Sequence, residues 1–470
     1  MDKKLTAECE AYAKEYMDYL AVAKTERRAY AQAVKLLEMA GFRDISSFKT
    51  LKPGDRVYRG YHGKTVMAAV IGRKPVADGI RVVGGHTDAP RLDLKPKPLY
   101  EKEGVVYFDT HIYGGIKKFQ WLVLPLAIYG TIVKKDGVVY FDTHIYGGIK
   151  KYQWLVLPLA LYGTIVKKDG SKVEVALGDK PGDPVFMISD LLPHLAHDLE
   201  QKKLKEFFPA EDLDVIASVG KKDELLKLVK KQFGVEEADF LSAELEVVPA
   251  GMPREVGIDR SLIAAYGHDD RVCAYAGLSA LLKLKGVPAV TSSIVMCDKE
   301  EVGSMGATGM QSSFFENTVA EMLVRQGAKD DIDVRRCLER STMLSADVTA
   351  AADPHFKDVD STGNEAKLKG GPAVSKYTGG TSKSGASDAR AEFVAVVRKF
   401  LDDDKVTWQM AELGKMEKGG GGTISQYMAR FGMDVIDFGT PLLNMHAPWE
   451  LAAKEDCYWT YRAYRAYFEA

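Results

Sequence analysis

The sequence is poor in thiols. Its five cysteines, Cys9, Cys273, Cys297, Cys337 and Cys457, are odd in number, and none stands in a C-x-x-C pair. This excludes a disulfide framework and a thiolate zinc site, so any metal centre has to be built from histidine and carboxylate. A charge excess is missing too: 64 Lys and Arg stand against 66 Asp and Glu. Such a balance carries no electrostatic footprint for nucleic acid or an anionic membrane. Apolar runs such as "WLVLPLAIYG" fall well short of the ~20 residues that span a bilayer. The first twenty residues mix acids and bases throughout and lack the apolar core of a signal peptide. These absences predict a cytoplasmic protein with neither nucleic acid nor membrane as a partner.

What is present is enough chain for several buried cores, since single cores stop growing well short of 470 residues. Residues 5–41 carry apolar positions at helical spacing and end at Gly41, which predicts two helices. From Arg56 to Asp88 the pattern changes to short β-type runs, "RVYRGY", "TVMAAVIG" and "IRVVGGH". After a mixed middle segment, strands and helices alternate to the C-terminus, with a helix predicted over 187–208 and a final one from about Trp449. That order predicts an α/β fold with parallel-sheet character, built from residues 1–100 and 251–470, with residues 101–250 inserted.

The insertion contains an anomaly. Residues 104–136 and 137–169 are 33-residue copies that differ only at Phe119 against Tyr152 and Ile128 against Leu161. Repeat architectures diverge in sequence and need about three or more copies to bury a continuous core. Two near-identical copies read instead as an in-frame duplication, of which one should hold the original place and the other form an extra hairpin or loop at a domain edge. His111 and His144, being duplicated, read as structural or surface residues.

Chemistry concentrates elsewhere. The apolar run "SSIVM" ends in "CDKEEVGS", which sets Glu300 and Glu301 where a buried strand stops. Open α/β sheets bind ligands outside the carboxyl ends of their strands, and adjacent carboxylates repel unless a cation or shared proton relieves them. A solvated acidic turn would explain any single Glu-Glu pair equally well. However, His86, Asp269, Asp347 and His446 also fall at or beside predicted strand ends. With Glu301 they make a His and carboxylate set that suits zinc, cobalt or manganese. Two such ions about 3.5–4 Å apart could share one carboxylate and activate water. Glu300 is then left over, and a spare carboxylate beside a water is a general base. Asp88, two residues after His86, is spaced to orient that imidazole through its second nitrogen.

Taken together, His86-Thr87-Asp88, "GHDDR", "CDKEEVGS", "SADVT" and "MHAPWE" resemble the aspartyl aminopeptidase and aminopeptidase I family of dinuclear zinc exopeptidases, in particular its bacterial members. The similarity spans nearly the whole chain apart from one copy of the duplication. It implies a mixed-sheet zinc exopeptidase catalytic domain with an inserted β-rich dimerisation domain. It further implies that His86 and Asp347 hold one metal, that Glu301 and His446 hold the other, and that Asp269 bridges them. Glu300 matches the general base and Asp88 the partner of His86. His194 in "PHLA", which alone reads as a helix-surface residue, matches a histidine that reaches a neighbouring subunit's active site. Gly421 and Gly422, in the run 419–422, match a substrate-binding stretch that alone reads as a flexible loop or an N–H nest. Lys376 in "SKYTGG" is a candidate contact for an acidic side chain or terminal carboxylate.

The implied activity is removal of the N-terminal residue from peptides with free N-termini, by a homo-oligomer whose dimers close into a twelve-subunit shell. Two other readings fit the same residues: another co-catalytic zinc hydrolase, such as a carboxypeptidase or deacylase, and a metal-binding shell protein without turnover. The duplication falls in the inserted segment, so it bears on assembly and on His194 rather than on the ligands.

Overall fold

A computed structural model describes residues 3–102, 105–116, 139–141, 143–148, 153–154, 157–178, 183, 185–188, 202–203, 209, 213–218, 221–379, 387–415 and 418–470. The two N-terminal helices are Lys3–Val22 and Glu26–Met39, and the β-type runs after them become Arg56–Tyr61, Thr65–Val70 and Ile80–His86. Of the helix predicted over 187–208, residues 189–201 and 204–208, with His194 among them, lie outside the described residues, and its expected first residue, Met187, forms an antiparallel β-bridge with Ile216 instead.

At the centre of a nine-stranded sheet, Thr291–Cys297, Ile80–His86, Thr342–Ser345 and Asp434–Gly439 run parallel in that spatial order. Thr65–Val70 and Ala373–Ser375 flank them antiparallel, which makes the sheet mixed. Every residue of Thr291–Cys297 is buried, as a strand covered on both faces requires. Alternation decides the layers. Ile294 and Met296 join a core with the helices His268–Leu282 and Lys454–Glu469, while Val295 and Cys297 join one with Phe314–Arg325 and Asp331–Glu339. The architecture is therefore three-layered α/β. Register sets Cys297 opposite His86 and Ser345 opposite Gly84, so the carboxyl ends of these strands share one edge of the sheet.

Among the described residues of 91–249, eight strands form a second sheet. It has its own core, in which Trp154, Leu159, Leu213, Val215, Val235 and Val247 are fully buried. The boundary expected at residue 101 falls inside the strand Arg91–Lys102, whose alternating Lys and Pro disguise its β character. The charged stretch before Phe233 holds a helix not anticipated, Lys222–Phe233, which packs Leu225, Leu226, Val229 and Phe233 onto this core.

Both copies of the duplication supply strands to this sheet. Val105–Ile116 and Thr143–Gly148 pair in parallel, with His111 opposite His144 and Tyr113 opposite Tyr146. Arg91 lies opposite both Tyr113 and Tyr146, and Leu94 opposite both Thr110 and Thr143. The extra copy is thus woven into the sheet rather than appended as a hairpin or loop, because an identical pattern offers an identical register.

A five-stranded sheet carries Leu262–Ala265, Glu450–Ala453 and Pro441–Leu443 side by side. The last helix begins at Lys454 rather than near Trp449, because Glu450–Ala453 pairs antiparallel with Leu262–Ala265. No helix among the described residues is long and apolar enough to cross a membrane.

Candidate metal centre

Each expected ligand sits where an element stops or starts. His86 ends its strand, Asp269 lies in the first turn of His268–Leu282, and Glu300 and Glu301 form a short 3-10 turn after Thr291–Cys297. Asp347 follows Thr342–Ser345 by two residues, and His446 lies in the turn between Pro441–Leu443 and Glu450–Ala453.

These side chains converge. Asp269 Oδ1 is 3.2 Å from His86 Nε2, and its Oδ2 is 3.1 Å from His446 Nε2. His86 Nε2 is also 3.9 Å from Glu300 and 4.0 Å from Asp347, and His446 Nε2 is 3.5 Å from Glu301. On the far side of the His86 ring, Nδ1 meets the Asp88 carbonyl at 3.0 Å and the Asp88 carboxylate at 3.2 Å. Donation from Nδ1 to that carbonyl leaves Nε2 facing the cluster. Asp88 also accepts from the backbone N–H groups of Glu300 (3.1 Å) and Glu301 (3.2 Å), so one carboxylate both orients His86 and anchors the glutamate turn.

Carboxylates outnumber imidazoles here, an excess that a cation would relieve. Among the described residues, Asp269, Glu300 and Asp347 lie within 4.0 Å of His86, and Asp269 and Glu301 within 3.5 Å of His446. Burial first, and then the neighbouring carboxylates, push Glu300 and Glu301 up to about 8 and raise Asp347 well above its usual range. Burial opposes a charged His86, yet Asp269 and Asp88 outweigh it and hold that imidazole's pKa high. Asp269 Oδ1 and Glu301 Oε1 are buried and accept no hydrogen bond. Orphaned carboxylate oxygens beside imidazole nitrogens are the donor set that divalent zinc takes, and these residues fit it.

Two residues of the cluster escaped the sequence reading. Asp270 accepts from the His86 backbone N–H at 3.3 Å, and Glu450 accepts from the backbones of Asp269 and His446. Both stand inside motifs already singled out, "GHDDR" and "MHAPWE", and only their acidity in apolar surroundings could have flagged them.

A cavity of about 570 Å³ opens from the cluster, bounded by Tyr377, Thr378, Glu412, Lys415, Gly421, Gly422 and Asp437 as well as by Asp269, Glu300, Glu301, Asp347 and His446. A Cβ on Gly419 would lie 1.8 Å from the Leu413 carbonyl, so the glycine run packs tightly where it begins. Gly421 and Gly422 are exposed toward the cavity side. Lys376 does not line it; its ammonium donates to the Tyr377 hydroxyl at 2.8 Å and to Asp388 at 3.1 Å.

The profile of the aminopeptidase I zinc metalloprotease family (M18) matches residues 19–139 and 132–468, and the break falls at the duplication. A probable M18 family aminopeptidase 1 of Clostridium acetobutylicum is 42% identical over 480 residues, covering 99% of this chain and 96% of that protein. The crystal structure of an M18 aminopeptidase from Thermotoga maritima matches with a TM-score of 0.88 at 42% identity, covering 100% of this chain and 97% of the other. Likeness of fold extends to the mApe1 dodecamer of S. cerevisiae, with a TM-score of 0.73 at 20% identity over 97% of this chain and 96% of that one. The chain belongs to the M18 family of aminopeptidase I zinc metalloproteases and is a metal-dependent aminopeptidase.

Proposed function

We propose that this aminopeptidase releases the N-terminal residue of peptides with two divalent cations held side by side. His86 and Asp347 would hold one, His446 and Glu301 the other, and Asp269 would bridge them. The observation that carries this reading is Asp269 itself, whose two oxygens face different imidazoles at 3.2 and 3.1 Å. Zinc suits the donors first, and cobalt or manganese are the alternatives.

When bound, the cations supply Lewis-acid polarisation of the scissile carbonyl and acidify a water. Glu300 takes a proton from that water and returns it to the departing amine. Burial first, and then the neighbouring carboxylates, raise its pKa, so cations that offset the charge of those neighbours would lower it toward the ionised form that a base needs. Asp88 keeps Glu300 and His86 in mutual position. The backbone of Gly421 and Gly422, lacking side chains, lets a peptide approach closely.

The inserted segment, expected over residues 101–250 and built around the second sheet that starts at Arg91, serves as the dimerisation domain, dimers assemble into a dodecamer in the cytoplasm, and His194 of one subunit serves the site of its neighbour. The dodecameric state of the yeast relative supports this assembly.

The test is a panel of chromogenic aminoacyl substrates, including Asp, Glu, Leu and Lys derivatives, assayed before and after chelation. Chelator-sensitive release from free but not acetylated N-termini is expected. Release from acetylated substrates or from C-termini would favour a deacylase or carboxypeptidase, and silence with metal bound would leave a shell protein. Glu300→Gln should lower kcat by about 10²–10⁴-fold with metal content intact; turnover like that of the unaltered protein would refute the assigned base.

A further inference from the structure

Two stretches far apart in sequence must meet for the centre to exist, the helix start at 267–270 and the turn at 444–450. Glu450 joins them. It opens the strand Glu450–Ala453 opposite Ala265 and is 1% exposed. Its Oε2 accepts the Asp269 backbone N–H at 3.0 Å, and its Oε1 accepts the His446 backbone N–H at 2.7 Å. One carboxylate therefore fixes the main chain of the two residues whose side chains meet at 3.1 Å.

His446 needs such a restraint. Its φ is +64°, in the left-handed region that a residue with a side chain adopts only where its surroundings over-determine it. The turn is closed on one side by Ala447 N–H donating to the Asn444 carbonyl at 2.8 Å, and on the other by Glu450. Without Glu450 the backbone at His446 can relax, and its imidazole leaves the line to Asp269. The ligand carboxylates turn oxygens toward imidazole nitrogens, whereas both oxygens of Glu450 are taken up by backbone amides.

We propose that Glu450 is a positioning residue, a clamp on two amides that holds Asp269 against His446 and so sets the affinity of the His446–Glu301 cation site. This rests on the two-cation reading above. The experiment titrates the metal-free full chain with Zn²⁺ against a chromophoric chelator, and with Co²⁺ by its visible absorption, in the unaltered protein, E450Q, E450D and H446A. Gln keeps the volume but turns an amide NH₂ toward one of the two N–H groups; Asp keeps the charge but cannot span both.

In E450Q and E450D the first equivalent is expected to bind as in the unaltered protein. The second should bind roughly 10–100-fold more weakly, with an altered cobalt spectrum. H446A should lose one equivalent outright. If H446A still binds two equivalents, the two-cation reading itself fails. If H446A loses one while E450Q and E450D titrate normally, only the clamp is overturned. Equal weakening of both equivalents, in step with lower thermal stability of the metal-free variants, would make Glu450 a general fold residue and also overturn it. Should E450Q not fold, E450D decides by the same criteria.

Discussion

Asp88 holds Glu300 by its main chain: the Glu300 N–H donates to Asp88 Oδ1 at 3.1 Å, and the same oxygen lies 3.2 Å from His86 Nδ1. The carboxylate thus links the backbone of the assigned base to the imidazole of a metal ligand. Asp88→Asn keeps the shape but puts an NH₂ where an acceptor is needed. Zinc affinity or kcat/KM should fall by about 10–100-fold, the usual cost of removing a group that orients a metal ligand. Metal content after dialysis, read beside steady-state kinetics, checks this; unchanged values for both would show that the link is dispensable.

Gly85 precedes His86, and a Cβ there would lie 2.5 Å from Asp270 Oδ2 and 3.0 Å from the Ala346 carbonyl. Gly85→Ala should therefore destabilise the fold by roughly 1–3 kcal/mol, as overpacking of a tight interior does. It should also weaken metal binding, because the displaced Asp270 accepts from the His86 N–H. Thermal unfolding with and without added zinc separates the two effects, and a normal Tm in both conditions would contradict the prediction.

Away from the centre, Glu26 is fully buried against Lys64 Nζ at 2.8 Å and Arg91 Nη1 at 3.0 Å. Burial alone pushes its carboxyl up, but Arg91 and Lys64 outweigh burial and hold it well below its ordinary value of 4.5. A folded pKa below the unfolded one contributes stability that is present above about pH 4.5 and lost as pH falls below it. Glu26→Gln leaves two buried cations short of this partner and should cost roughly 3–5 kcal/mol. Denaturant unfolding from pH 7 down to 3 should show a lower plateau and a shallower acid limb than in the unaltered protein. A parallel curve would mean that Glu26 is not the titrating group.

Deleting residues 104–136 joins Glu103 to Gly137 and leaves one copy of the repeat. Arg91 and Leu94 then face Tyr146 and Thr143 alone, in the register that the identical pattern of the deleted strand Val105–Ile116 also takes. The shortened protein should bind metal as before and unfold at an equal or higher temperature. Loss of the metal centre in this variant would show that both copies are needed for the fold.

The sequence by itself determined a good deal. Apolar periodicity marked the N-terminal helices and the strands that deliver His86 and the glutamate pair, because a strand buried on both faces has to be an unbroken apolar run. The absence of thiol pairs restricted any metal centre to His and carboxylate, and a handful of short motifs in order pointed to the family. Tertiary structure decided the rest. Whether Asp269 lies between two imidazoles depends on the pairing of Leu262–Ala265 with Glu450–Ala453, a contact between segments some 190 residues apart. Glu450 and Asp270 were legible only as acids next to better candidates, because their role lies in which backbone amides they reach. The second copy of the duplication likewise gave no sign of its place. Two identical β patterns specify the same register, and only the sheet that receives them determines how both are accommodated.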